Sequence, residues 1–131
     1  IESLATGDFH VAAVDTSGSA WTWGFGREGS LGHGEKSDRG IPTRVDALNG
    51  TRVTSVSCGG GHTAALCENH QLYLWGRGRD GQLGRGAHLE SIAAYRTAPV
   101  PMTSFGTGAV LQVALGTDHT LALVEKEAVQ P

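Results

Sequence analysis

The chain has little of several things that would otherwise define its class. Two cysteines, Cys58 and Cys67, are too few for a disulfide framework. No apolar run approaches the roughly 20 residues that a membrane-spanning helix needs. A basic excess is missing as well: ten Lys and Arg against thirteen Asp and Glu leave a net charge of −3. Nucleic-acid binders draw most of their affinity from neutralising phosphates, so this balance counts against that role. No stretch carries a helical apolar period, which excludes helix bundles and helical solenoids. No nucleophile and base stand at a telling spacing, and acids such as Asp8, Asp46 and Asp118 read as turn residues. The expectation is therefore a chain with no catalytic residues, cofactor or metal of its own. With reduced, buried thiols expected at Cys58 and Cys67, it reads as intracellular, nucleus and cytoplasm being indistinguishable.

What the chain does have is glycine, 20 residues of it in 131, arranged in a repeat. Gly7-Asp8-Phe9-His10-Val11-Ala12-Ala13-Val14 matches Gly59-Gly60-Gly61-His62-Thr63-Ala64-Ala65-Leu66 at an offset of 52. The same offset carries Trp23 to Trp75, Gly24 to Gly76, Gly29 to Gly81, and Leu31-Gly32 to Leu83-Gly84. A third copy opens at Gly116-Thr117-Asp118-His119-Thr120-Leu121-Ala122-Leu123, offset by 57 from the second. Pro42 to Pro99 also fits 57, so five extra residues fall between Gly86 and Pro99.

Within a copy the local pattern is that of short strands. Val53 to Cys58 alternates at strand period, and a Gly-rich turn leads into an apolar strand from His62 to Leu66. Glu68 to Gln71 reads as a turn, and Leu72-Tyr73-Leu74-Trp75 as a third strand. Several short strands per copy at a period near fifty predict an all-β fold built of propeller blades. Residues 1–52 form the first repeat, 53–109 the second with its longer loop, and 110–131 the start of a third.

The string His62-Thr63-Ala64-Ala65-Leu66, then Leu72-Tyr73-Leu74-Trp75-Gly76, then Gly81-Gln82-Leu83-Gly84-Arg85-Gly86 resembles the regulator of chromosome condensation repeat. The resemblance implies a ring of seven blades of antiparallel strands. Seven copies at this spacing need roughly 360 residues, so this chain cannot close a ring alone. Because open sheet edges invite association, the expectation is a portion of a longer chain. The remaining blades would come from that chain or from other subunits. The resemblance also extends to ultraviolet receptors that sense light through clustered tryptophans. Three tryptophans occur here and two stand at the ordinary repeat position, which argues against that activity.

Register also strips meaning from apparent motifs. Gly24-Phe25-Gly26-Arg27-Glu28-Gly29 and Gly76-Arg77-Gly78-Arg79-Asp80-Gly81 both spell G-x-G-x-x-G. A dinucleotide site needs a helix to start there, and Leu-Gly-x-Gly cannot sustain one. The glycines instead suit positive φ or close backbone contact. His10, His62 and His119 recur in register and read as structural, for example holding the glycine turn. Trp23 and Trp75 read as blade packing.

What breaks the repeat is where function is expected. The loop from Ala87 to Ala98 is five residues longer than its counterpart and carries Leu89, Ile92, Tyr95 and Arg96. The segment from Arg77 to Arg85 carries Arg77, Arg79 and Arg85 against Asp80 alone. These seven residues are the candidate partner-binding set, since Tyr and Arg are favoured interface anchors. The leading expectation is a protein–protein interaction scaffold within a larger protein or assembly, with protein partners. Two alternatives follow from the resemblance: a nucleotide-exchange regulator of a small GTPase docked on chromatin, and the substrate-recruiting propeller of a ubiquitin ligase.

Overall fold

The computed structural model describes residues 3–26, 29–77, 95–101, 110–116 and 120–124. Ten strands are ordered along the chain: β1 (Ser3–Thr6), β2 (His10–Val14), β3 (Ala20–Gly24), β4 (Arg39–Arg44), β5 (Val53–Cys58), β6 (His62–Cys67), β7 (Leu72–Arg77), β8 (Tyr95–Pro101), β9 (Val110–Leu115) and β10 (Thr120–Val124). They form two four-stranded antiparallel meanders, β1-β2-β3-β4 and β5-β6-β7-β8, and a two-stranded β9-β10 pair. We call these blades one, two and three. The one helical element described is a 3-10 turn over Asp46–Leu48. The all-β expectation holds, and the chain is a partial β-propeller.

Register repeats with the sequence. His10 pairs with Gly24 and Val11 with Trp23 in blade one, as His62 pairs with Gly76 and Thr63 with Trp75 in blade two. The β2–β3 turn closes through Asp15 N–H to the Ser19 carbonyl at 3.0 Å, and the β6–β7 turn through Cys67 N–H to the Gln71 carbonyl at 3.0 Å. Gly18 has φ 85° at this turn, and His70, its counterpart, adopts φ 65° with a side chain in place. Each turn then holds the next blade. The Gly18 carbonyl accepts from Val53 N–H at 2.9 Å, and the His70 carbonyl from Val110 N–H at 3.4 Å.

Alternation within strands supplies two cores, one at each blade joint. Ala12, Val14 and Ala20 of blade one pack with Val56, Ala65, Cys67 and Trp75 of blade two. Ala64, Leu66, Leu72 and Leu74, on the other side of blade two, pack with Val110 of blade three. Blade two is thus apolar on both faces, which is why all six residues of β6 are buried. Both cysteines are free and lie in the first core. Burial pushes the Cys58 thiol up to about 12 and that of Cys67 to about 11, so neither is a ready nucleophile.

The Gly-rich turns let the inner strands of successive blades approach backbone to backbone. A Cβ at Gly59 would meet the Gly116 carbonyl oxygen at 2.5 Å and run into the His62 ring. Gly59→Ala is therefore expected to cost about 1–3 kcal/mol through overpacking. Gly40→Ala, where a Cβ would meet nothing within 4 Å, is expected to be neutral or slightly stabilising. Denaturant unfolding of the two variants beside the parent checks the contrast.

Candidate interaction surface

Two arrangements carry chemistry: a buried polar circuit that joins the blades, and the strand ends that this circuit holds in place. The circuit centres on the loop after β3. Ser30 and Leu31 of that loop are buried between blades one and two. The Thr22 hydroxyl donates to the Leu31 carbonyl at 2.6 Å, tying the loop to its own blade. The Ser30 carbonyl accepts from the Thr63 hydroxyl at 2.6 Å and from the Trp75 indole N–H at 2.8 Å, tying it to the next.

Thr63 also meets His10 Nε2 at 2.7 Å. Its single hydroxyl proton is committed to the Ser30 carbonyl, so its oxygen accepts here and His10 carries its proton on Nε2. The same reasoning puts the His33 proton on Nε2, 3.0 Å from the Thr22 hydroxyl. The histidine role expected from the sequence is structural, and the residue it holds differs from the expectation. His10 reaches across to a hydroxyl of the neighbouring blade instead of bonding its own glycine turn. Burial, helped by the charge of His62, lowers the His10 pKa to about 4.

Asp15 organises the far end of blade one. Its carboxylate accepts from Ser17 N–H at 2.9 Å, the Ser17 hydroxyl at 2.6 Å, Ser19 N–H at 3.0 Å and Trp21 Nε1 at 2.9 Å. These bonds, that of Ser17 first, hold the carboxyl well below its ordinary value. Beside this turn lies a cleft of about 340 Å³ lined by Gly18, Arg44, Leu48 and Arg52. Its guanidinium groups are already paired, Arg44 with Asp46 at 3.0 Å and Arg52 with Glu68 at 3.3 Å, so it is no anion site.

At the opposite end of blade one, the β1–β2 turn and the connection after β3 emerge together. Phe25 N–H donates to the Phe9 carbonyl at 2.9 Å, and the two rings pack edge to face with centroids 6.1 Å apart. Both side chains are more than half exposed. In blade two the same backbone bond joins Arg77 N–H to the Gly61 carbonyl at 2.8 Å. The fold therefore needs the bond and does not need the rings. The sequence reading missed this pair, although a signal was present: Phe9 and Phe25 align with Gly61 and Arg77, so both break the repeat.

Of the seven candidates from the sequence, three fall on described strands. Arg77 ends β7 and pairs with Tyr95 at the start of β8, and Arg96 pairs with Gly76. Arg77 and Arg96 are half-buried, and the Arg96 and Thr97 backbone packs against Gly29 of blade one. The Thr97 carbonyl also accepts from Gly34 N–H at 2.8 Å. Arg79, Arg85, Leu89 and Ile92 lie outside the described residues. Among the described residues no group of three or more His, Cys, Asp or Glu is placed to hold a metal. Nor is any described helix long and apolar enough to cross a membrane.

Four-stranded meanders stacked face to face, each locked to the next by a loop carbonyl, define a segment of a β-propeller. Its sequence matches the regulator of chromosome condensation (RCC1) repeat over residues 17–66 and 69–123, and a second description of that repeat over 53–82. The chain belongs to the family of RCC1 repeat proteins. It is 37% identical to the ultraviolet-B receptor UVR8 of Arabidopsis thaliana over 94% of its own length and 27% of the receptor's. It is 34% identical to the human E3 ubiquitin-protein ligase HERC2 over 98% of its length and 3% of the ligase's. The X-linked retinitis pigmentosa GTPase regulator homolog of Caenorhabditis elegans is also 34% identical, the match spanning 9% of that protein. The chain thus spans well under a third of these relatives. Among solved structures, human WBSCR16 superposes with a TM-score of 0.79 at 26% identity, over 94% of this chain and 31% of that one. Prp20p of Saccharomyces cerevisiae superposes at 0.80 with 20% identity, over 95% and 31%, which is a likeness of fold.

Thr63→Val is expected to destabilise by about 1–3 kcal/mol, since it strands the buried His10 N–H. Because His10 titrates lower when folded, the unfolded chain binds more protons between about pH 6.5 and 4. Stability should be full above that window, fall as the pH drops through it, and level off below for this group. Asp15 then adds a further loss below its ordinary value of 3.8, because its folded carboxyl titrates lower still. Unfolding free energies across this range, for the parent and for His10→Asn, give the measurement. The variant should lose part of the slope between pH 6.5 and 4.

Proposed function

We propose that this segment is a non-catalytic protein–protein interaction scaffold, contributing blades to the propeller of a larger protein. The observation that carries this reading is the Phe9–Phe25 pair. Large aromatic side chains exposed together on a rigid blade end, at positions where the fold accepts glycine and arginine, are what an interface anchor requires. The connection between β7 and β8 leaves and returns at this same end of blade two, through Arg77 and Tyr95. The candidate residues Arg77, Arg79, Arg85, Leu89, Ile92, Tyr95 and Arg96 belong to that connection and its flanks. The partner would then be a protein that offers an apolar side chain to the aromatic pair.

The finer readings rest on relatives. A GTPase regulator homolog and a ubiquitin ligase stand among them, which supports a regulator or a substrate-recruiting module as the larger context. A nucleotide-release assay with the whole protein and candidate small GTPases tests the first. No acceleration at micromolar protein removes it.

Phe9→Ser and Phe25→Ser are expected to weaken capture of protein partners at least about tenfold, since burying one aromatic side chain is worth roughly 1.5–3 kcal/mol. The thermal midpoint should stay within a few degrees of the parent, because neither ring is part of a core. Tyr95→Ser with Ile92→Ser tests the longer loop in the same pull-down. Unchanged capture by all four substitutions would remove this blade end as the interface.

A further inference from the structure

The chain has two asparagines, and their surroundings are opposite. Asn69 lies in the β6–β7 turn, where its side-chain carbonyl accepts from Gln71 N–H at 3.0 Å. The amide after it is committed as well, His70 N–H donating to the Cys67 carbonyl at 2.8 Å. Asn49 ends the 3-10 turn over Asp46–Leu48, in the connection from β4 to β5. Its side chain is exposed and has no hydrogen-bond partner among the described residues, and neither has the N–H of Gly50 that follows. Gly50 has φ 88°, and a Cβ there would meet nothing within 4 Å. The blades on both sides of this connection are present, so its exposure does not come from a missing neighbour.

An unpaired amide nitrogen next to a free carboxamide, with no side chain to crowd it, suits intramolecular imide formation. We propose that Asn49 is a site of spontaneous deamidation, a covalent modification that acts on the connection between blades one and two. The Gly50 nitrogen gives up its proton to solvent and attacks Asn49 Cγ. The new C–N bond closes a five-membered imide, the Cγ–Nδ2 bond breaks, and Nδ2 leaves as ammonia with a proton from solvent. Water then opens the ring at either carbonyl. Opening at Cγ gives an aspartyl product, and opening at the main-chain carbonyl gives an isoaspartyl product whose chain is one atom longer. Asn49 stands at ψ 133°, so ring closure needs rotation about its Cα–C bond. The contact that resists this rotation is Thr51 N–H to the Leu48 carbonyl at 3.0 Å. Both products place a carboxylate in the cleft that Asn49 lines with Arg44 and Arg52, whose guanidinium groups already have acidic partners. The longer chain must also fit between Leu48 and Val53, both buried in the core of this joint, and it disturbs the Thr51–Leu48 bond.

Holding the whole protein at body temperature and mildly alkaline pH, then digesting it with trypsin, tests this by mass. Cleavage after Arg44 and Arg52 releases residues 45–52 with Asn49, and cleavage after Arg77 releases 53–77 with Asn69. The first peptide should gain about one dalton and separate into two products, one of them a substrate for an isoaspartyl carboxyl methyltransferase. The second peptide should stay unchanged. Conversion should quicken with rising pH, since the attacking nitrogen must lose its proton. Asn49→Gln should abolish it, because its longer side chain would have to close a six-membered ring. After ageing, the parent should melt a few degrees below Asn49→Gln treated in the same way. Freshly purified Asn49→Asp, which supplies the charge without the longer chain, should keep the midpoint of the fresh parent. Persistence of Asn49, conversion of Asn69 at the same rate, or an aged isoaspartyl form that melts with Asn49→Gln overturns the proposal.

Discussion

The Ser30 carbonyl is the point on which the joint between blades one and two depends. A carbonyl oxygen has two lone pairs, and here both are used by donors from the next blade, the Thr63 hydroxyl and the Trp75 indole N–H. Both donors are buried and each would be costly to leave unmet. The loop that presents this oxygen is held by Thr22 and by the Ser30 side chain, whose hydroxyl donates to the Phe25 carbonyl at 3.0 Å. Its own flexibility is limited by contact too: a Cβ at Gly32 would strike the Trp75 ring at 2.8 Å. Glycine at this position, with φ 78°, is what lets the indole lie flat enough to reach the oxygen.

This arrangement gives neighbouring residues of one loop distinct tasks. Leu31 fills space, Gly32 yields it, Ser30 supplies an oxygen, and the indole and threonine of the following copy donate to it. Blade one supplies the acceptor at this joint and blade two the donors, so neither finishes its packing alone. Stability in such an array is a sum of blade terms and nearest-neighbour terms. The neighbour term here includes a buried polar circuit as well as apolar area, which makes the joint selective for register. A blade slid by one residue would bury Thr63 against the wrong partner.

The fold was legible because its signal is repetition, and repetition survives ignorance of any single contact. Strand order followed from apolar alternation over Val53 to Cys58 and from the glycine turns between strands. The contacts that matter were not legible. The central acceptor is a backbone oxygen, which every residue possesses and no side-chain pattern announces. Repeat alignment also pairs His10 with His62, whereas the hydrogen bond runs from His10 to Thr63, one strand position and one blade away. Alignment reports equivalence, and adjacent blades interact through non-equivalent positions. The aromatic pair at Phe9 and Phe25 could have been found, since both residues depart from their counterparts. Inserted length and clustered charge are louder signals in a sequence, and two aromatic substitutions in turns look like ordinary variation.

Blades one and two differ in chemistry at the aligned positions Val11 and Thr63. Where Thr63 stands, the joint is fixed by hydrogen bonds whose cost of breaking is high and whose geometry admits one register. Where Val11 stands, the same position offers an apolar side chain and no hydroxyl, and apolar burial is non-directional. Aligned positions of one repeat can therefore offer a neighbouring blade opposite chemistry, while the repeat that encodes them looks uniform. The aromatic pair lies on the same blade, at the start of the strand β2 that carries Val11.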